Sequence, residues 1–149
     1  MQSSPTTAQI LQGLRVELRE SLLPEVAAAP ARIAVEMLDN LLSNLATRSA
    51  HEIAWMRDEC AQIEALVGDI ADPAVTAALV EYHALDRDSL HLDDVQAAYD
   101  RAGEVLSCTI EHAIASGNRA LLDASRAVLR LRSEREMTIL GGWNVAGRQ

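Results

Sequence analysis

The sequence predicts an all-α fold: one domain, a helical bundle of about five to six helices over residues 1–138, followed by a flexible C-terminal tail over 139–149. Three observations predict it. Leu, Ile, Val and Ala recur at spacings of three and four, the period of a helix face. No stretch alternates apolar and polar residues as a half-buried strand does. Helix-start signals precede apolar runs four or five times. A chain of 149 residues is also long enough to bury roughly 68–70% of its unfolded surface as one domain.

The first helix is expected from Thr6, whose hydroxyl can cap the chain while Gln9 reaches back, with Leu11, Leu14, Leu18 and Leu22 on one stripe and Pro24 as its end. Pro30 suits the first turn of a second helix, whose Ala34, Met37, Leu38, Leu41 and Leu45, flanked by Ile33 and Leu42, form a broad apolar face and predict a central position. Ser49-Ala50-His51-Glu52 is a capping-box pattern, so a separate third helix, or a sharp bend, is expected there. Its stripe is Ile53, Met56, Cys60, Ile63 and Val67, ended by Gly68.

Asp72-Pro73 opens a short helix with Val75, Leu79 and Val80 that ends near Asp86, before a polar loop to His91. Asp93 and Asp94 favour the positive end of the next helix, expected to be the longest, with Val95, Ala98, Tyr99, Ala102, Leu106, Thr109 and Ala113 inward as far as Ser116-Gly117. Asn118 can cap the last helix, where Leu121, Leu122, Ser125, Val128 and Leu129 face inward. Periodicity then decays into Gly141-Gly142-Trp143, which predicts a mobile tail.

Composition narrows the function classes. The hydrophobic fraction of 49% with 23% charged residues suits a soluble chain, and no apolar run approaches the ~20 residues of a membrane span. Met1 to Thr7 lacks the basic and apolar regions of a signal peptide, so a cytoplasmic location is expected, with Cys60 and Cys108 as reduced thiols. A net charge of −9 opposes binding to phosphate backbones and anionic lipid, so neither nucleic acid nor membrane is an expected partner. All 13 basic residues are Arg, Lys and Phe are absent, and Ala is abundant, as in a high-GC bacterial genome. Aromatic residues make up 3% of the chain, which argues against a stacking pocket for a nucleotide or flavin, and no cofactor is expected.

The strongest local candidate for chemistry is Cys108 with His112, four residues apart on one helix and able to share a metal. Two ligands do not complete a zinc site, Arg101 on the same flank repels a cation, and a half-buried cysteine beside a surface histidine is the simpler reading. His51, His83 and His91 occupy a first turn, a helix end and a loop, where polar side chains are normally solvated. The paired Glu-x-x-His of a di-iron bundle is absent. Asp86-Arg87-Asp88 with Asp93 and Asp94 lacks the glycine and glutamate of an EF-hand. No phosphate-cradling glycine loop or nucleophile elbow occurs.

Two features favour a protein partner. Trp55 falls about 120° from the Ile53-Cys60-Val67 stripe at ~100° per residue, and Val16 and Leu23 stand off the stripe of the first helix. Arg119, Arg126 and Arg130 share the outward face of the last helix in an acidic protein, with Arg132 and Arg135 beyond, and could receive an acidic partner. A bundle that buries its helices on several sides, and a solvated arginine row, are the plainer readings of these residues.

Pro5-Thr6, Leu11, Leu14-Arg15, Leu18, Leu22-Leu23-Pro24, Ala31-Arg32-Ile33-Ala34 and Leu38 together resemble an uncharacterised small helical bacterial family often encoded beside aminoglycoside-phosphotransferase-like kinases and acyl-CoA dehydrogenases. The resemblance covers about the first 67 residues and carries over no catalytic residue. It implies an accessory role near acyl-CoA or kinase chemistry. The sequence therefore predicts a non-enzymatic interaction module, working with a protein partner or as a homodimer through surfaces near Trp55, the first helix or the arginine row. The competing expectation is a metal- or small-ligand-binding bundle with hydrolase or transferase activity that draws on Cys108 and His112.

Overall fold

The computed structural model describes residues 4–68 and 70–141. It is all-α, with five α-helices and no strand among the described residues: α1 (Thr7–Glu17), α2 (Ala29–Val67), α3 (Pro73–His83), α4 (Leu92–Ser116) and α5 (Arg119–Leu140). No helix among these residues is long and apolar enough to cross a membrane.

The start signals at Thr6, Asp72 and Asn118 act as the sequence implies. Gln9 N–H donates to Thr6 Oγ1 (3.3 Å) and Thr6 N–H to Gln9 Oε1 (2.8 Å), closing the capping box of α1. Asp72 Oδ1 accepts from the backbone of Ala74 and Val75 (2.9 and 3.1 Å) ahead of Pro73. Asn118 Oδ1 accepts from Leu121 N–H at 3.1 Å to open α5. At Gly117 the left-handed φ of 69° lets the chain turn back, and Asn118 N–H reaches the Ala113 carbonyl at 2.9 Å.

Four expectations need correction. Ser49 does not start a separate helix: α2 runs unbroken for 39 residues and is the longest helix among the described residues, ahead of the 25 of α4. Its interior from Ala31 to Val67 holds no glycine or proline. Thr47 Oγ1 and Ser49 Oγ donate back to the carbonyls of Ser43 and Ala46 (3.1 and 3.0 Å), so these hydroxyls serve the running helix instead of capping a new one. Secondly, the chain after Glu17 widens into a π turn (Leu18–Leu22) and tightens into a 3-10 turn (Leu23–Glu25) that holds Pro24, which has no N–H to continue the α-helical ladder.

Thirdly, the broad apolar face of α2 is not central. Ile33, Met37, Leu38, Leu41 and Leu45 are exposed, as are Leu14 and Leu22 of the first stripe, while Val35, Asp39 and Ala46 are buried in their place. Lastly, Val80 and Leu129, expected inward, are exposed. Helix α5 extends through Leu140, two residues into the expected tail, and residues 142–149, Trp143 included, lie outside the described residues.

The chain divides into two compact units, one of Met1–Glu52 with Arg135–Gln149 and one of Ile53–Glu134. The second holds the hydrophobic core. Cys60, Ile63 and Val67 of α2, Val75 and Tyr82 of α3, and Ala98, Ala102, Val105 and Leu106 of α4 form one cluster, completed by Val128 of α5. Ala98 and Ala102 carry so little side chain that α3 approaches α4 closely. In the first unit only Val35, Ala46 and Asp39 are buried among the described residues.

Candidate functional site

The pair singled out for metal chemistry is placed as follows. Cys108 is a free, half-buried thiol packed against the core, and His112 Nδ1 lies 3.1 Å from Asp72 Oδ2. The Asp72 carboxyl sits below its ordinary range chiefly because Val75 N–H donates to it, with His112 and Ala74 adding to the effect. His112 thus braces the cap of α3. Among the described residues no group of three or more His, Cys, Asp and Glu side chains could hold a metal ion. Arg101 pairs with Glu81 and Glu104. The 86–91 loop is a set of turn caps, with Asp86 Oδ1 accepting from the backbone of Asp88 and Ser89.

A half-open cavity of about 390 Å³ in the second unit is bounded by α2 (Arg57, Cys60, Glu64), α3 (Tyr82, His83) and the following loop (Arg87). Its charges answer one another. Glu64 Oε1 meets both His83 Nε2 and Arg87 Nη1 at 2.8 Å, and the Arg87 guanidinium lies 5.4 Å from the Tyr82 ring centroid. Arg57 donates to the carbonyls of Asp88 and Ser89. Burial, with Glu59 beside it, pushes the Cys60 thiol up to about 11, the reverse of what a nucleophilic cysteine needs. Burial also raises the Tyr82 phenol. This is a braced wall and not an activated nucleophile with its base.

The polar residue that sequence reasoning missed in this unit is Glu59. It is buried, its Oε1 accepts from Arg132 Nε at 2.8 Å, and its Oε2 accepts from the Tyr99 hydroxyl at 3.3 Å. The Arg132 guanidinium also lies 5.3 Å from the Tyr99 ring centroid. Glu59 therefore joins α2, α4 and α5. Its position beside Cys60 on the core stripe was the available signal, but its partner lies 73 residues away in sequence.

In the first unit Asp39 is the buried anchor. Arg15 Nε donates to Oδ1 and Arg19 Nε to Oδ2, both at 2.9 Å. Burial by itself would raise this carboxyl, but the two guanidinium groups outweigh it and hold the group below its ordinary 3.8. A depressed folded value stabilises the unit fully above the unfolded value, and that stabilisation is lost as the pH falls through the folded one. Far-UV circular dichroism should accordingly record helix loss below about pH 3.8. In Asp39→Asn that acid-dependent loss should be reduced, with the unit already weaker at neutral pH. An unchanged acid profile in the variant would remove Asp39 as its source.

Beside this anchor, Leu14, Leu18 and Leu22 face Leu38 and Leu42 across an open, almost wholly apolar groove, with Glu17 and Ser21 at its edge. Of the residues expected at an interface, Val16 is exposed, Leu23 and Trp55 are half-buried, and Arg119, Arg126 and Arg130 are exposed, Arg126 pairing with Asp123 at 3.2 Å. What was missed is that the α2 stripe read as core is itself the larger open apolar surface. Its regular spacing was fully visible, whereas its exposure was not. The fold and the site thus define a small all-α chain with one cored unit and one apolar, largely uncored helical unit. No family model, curated protein or solved structure matches it.

Proposed function

We propose that this chain is a non-enzymatic protein-interaction or accessory module that acts by association with a protein through the apolar face of α1 and α2. The observation that carries this reading is the exposure of Ile33, Met37, Leu38, Leu41 and Leu45 on α2 beside Leu14 and Leu22. Contiguous apolar surface of this extent on a folded chain marks a place where another surface docks. The competing hydrolase or transferase reading has less support from the residues it draws on, because His112 is engaged with Asp72 and Cys108 packs against the core. Val16 and Leu23, in the same unit as the apolar face, are candidates for its outer margin, while Trp55 and the Arg119, Arg126 and Arg130 row of the second unit are candidates for a separate contact. The family resemblance of the first 67 residues would put the role beside acyl-CoA or kinase chemistry in a bacterial cytoplasm.

A photo-crosslinking amino acid in place of Leu41, activated in living cells, tests this. A covalent adduct with a protein, abolished when the probe is moved to Arg32, an exposed position on the opposite side of α2, is the expected result. Irradiation that yields no protein adduct at position 41 would overturn the reading.

A further inference from the structure

At ~100° per residue, Ile33, Met37, Leu41, Leu45 and Leu38 fall within an arc of about 140° on α2. Between Ile33 and Leu45 that arc also contains Ala34 and the amide of Asn44, but no charged residue; it ends at Arg48 and Glu52, which pair with each other at 3.9 Å. Leu38 lines the groove shared with Leu14, Leu18 and Leu22, so the apolar surfaces of the two helices are continuous. Met37 is 66% exposed, Leu41 54% and Leu14 50%.

We infer that the occupant of this face is a second copy of the chain, with two α1–α2 pairs meeting about a two-fold axis to close a four-helix bundle. The inference rests on the association reading above and names its partner. Size is the first argument. With Ile10, Leu14, Leu22, Ile33, Met37, Leu38, Leu41 and Leu45 each about half exposed, roughly 750 Å² stands open per copy, close to the ~800 Å² per partner of a standard stable interface.

Charge is the second argument. The chain carries a net −9, yet the arc from Ile33 to Leu45 carries none of it, so two acidic copies can meet there without opposing like charges. With Glu17 only at the edge of the adjoining groove, this uncharged arc also offers no pattern by which a partner of different chemistry would be selected, whereas rows of Leu, Ile and Met interdigitate with an identical row. An isologous contact requires this self-complementarity. The third argument is need: a unit whose described residues bury only Val35, Ala46 and Asp39 gains in the dimer the apolar burial it lacks, a common solution for small helical units.

Light scattering coupled to size-exclusion chromatography of the whole chain over a dilution series decides it. The expected mass is about twice the chain's 16.2 kDa. Leu41→Glu, which sets carboxylates near the symmetry axis, should weaken association by about a hundredfold and elute at the single-chain mass with its helicity retained. Ile114→Glu, at an exposed apolar position of the second unit, should leave the dimer intact. Should Leu41→Glu not fold, Met37→Gln with Leu41→Gln serves the same purpose. A wild-type monomer at every concentration, combined with crosslinks from position 41 to a different protein, would overturn the second copy and leave the association reading standing. A dimer that Leu41→Glu leaves unchanged would overturn this face as its seam, and the absence of any crosslink from position 41 would overturn both.

Discussion

Replacing Arg132 with alanine is expected to cost the second unit about 3 kcal/mol. The Glu59 side chain is 4% exposed and its charge is met by Arg132, itself 28% exposed. Removing the guanidinium strands a buried carboxylate, with the Tyr99 hydroxyl as a neutral donor in place of a cation. At roughly 2–4 °C per kcal/mol for a chain of this size, thermal unfolding should shift down by about 10 °C. The double variant Glu59→Leu with Arg132→Leu should recover most of that loss, because an apolar pair removes the stranded charge together with its partner. A double variant no more stable than Arg132→Ala would mean that the ion pair itself, and not the orphaned carboxylate, carries the effect.

The second large effect is expected at Ile63. This residue is 1% exposed in the cluster formed with Val75, Tyr82, Ala102 and Val105. Ile63→Ala removes buried methyl groups and leaves a cavity that helices on several sides cannot collapse to fill, at a cost of about 3–4 kcal/mol. Ile114→Ala makes the same chemical change at a position 64% exposed on α4 and should stay within about 0.5 kcal/mol. Chemical denaturation of the two variants measures the contrast. Equal midpoints would contradict the placement of the core.

Much of the fold is legible in the chain because helix ends are local. Thr6 with Gln9, Asp72 with Pro73, Gly117 and Asn118 each satisfy backbone groups within a few residues of themselves, and each ends or begins a helix as its chemistry implies. Ser49 is the instructive failure. A Ser/Thr-x-x-Glu/Gln pattern is necessary for a capping box and not sufficient, and without a glycine or proline to stop the preceding helix the hydroxyl of Ser49 bonds back to Ala46 instead. The candidate site was legible only in outline. Val16 was recognised as off-stripe and is exposed, but the face from Ile33 to Leu45 was read as core on its period.

The sequence by itself determined that the chain is helical, where most of its helices start, and most of the packed face of α4, since periodicity and capping are properties of a few neighbouring residues. Tertiary structure alone decided which apolar stripe is covered. Asp39 receives Arg15 and Arg19 from 24 and 20 residues away, and Glu59 receives Arg132 from 73 away. In the first unit the buried side of α2 is thus the one that carries Asp39, while the richer leucine stripe stays open. A hydrophobic period identifies a face that favours burial; only the arrangement of the other helices supplies, or withholds, the surface that buries it.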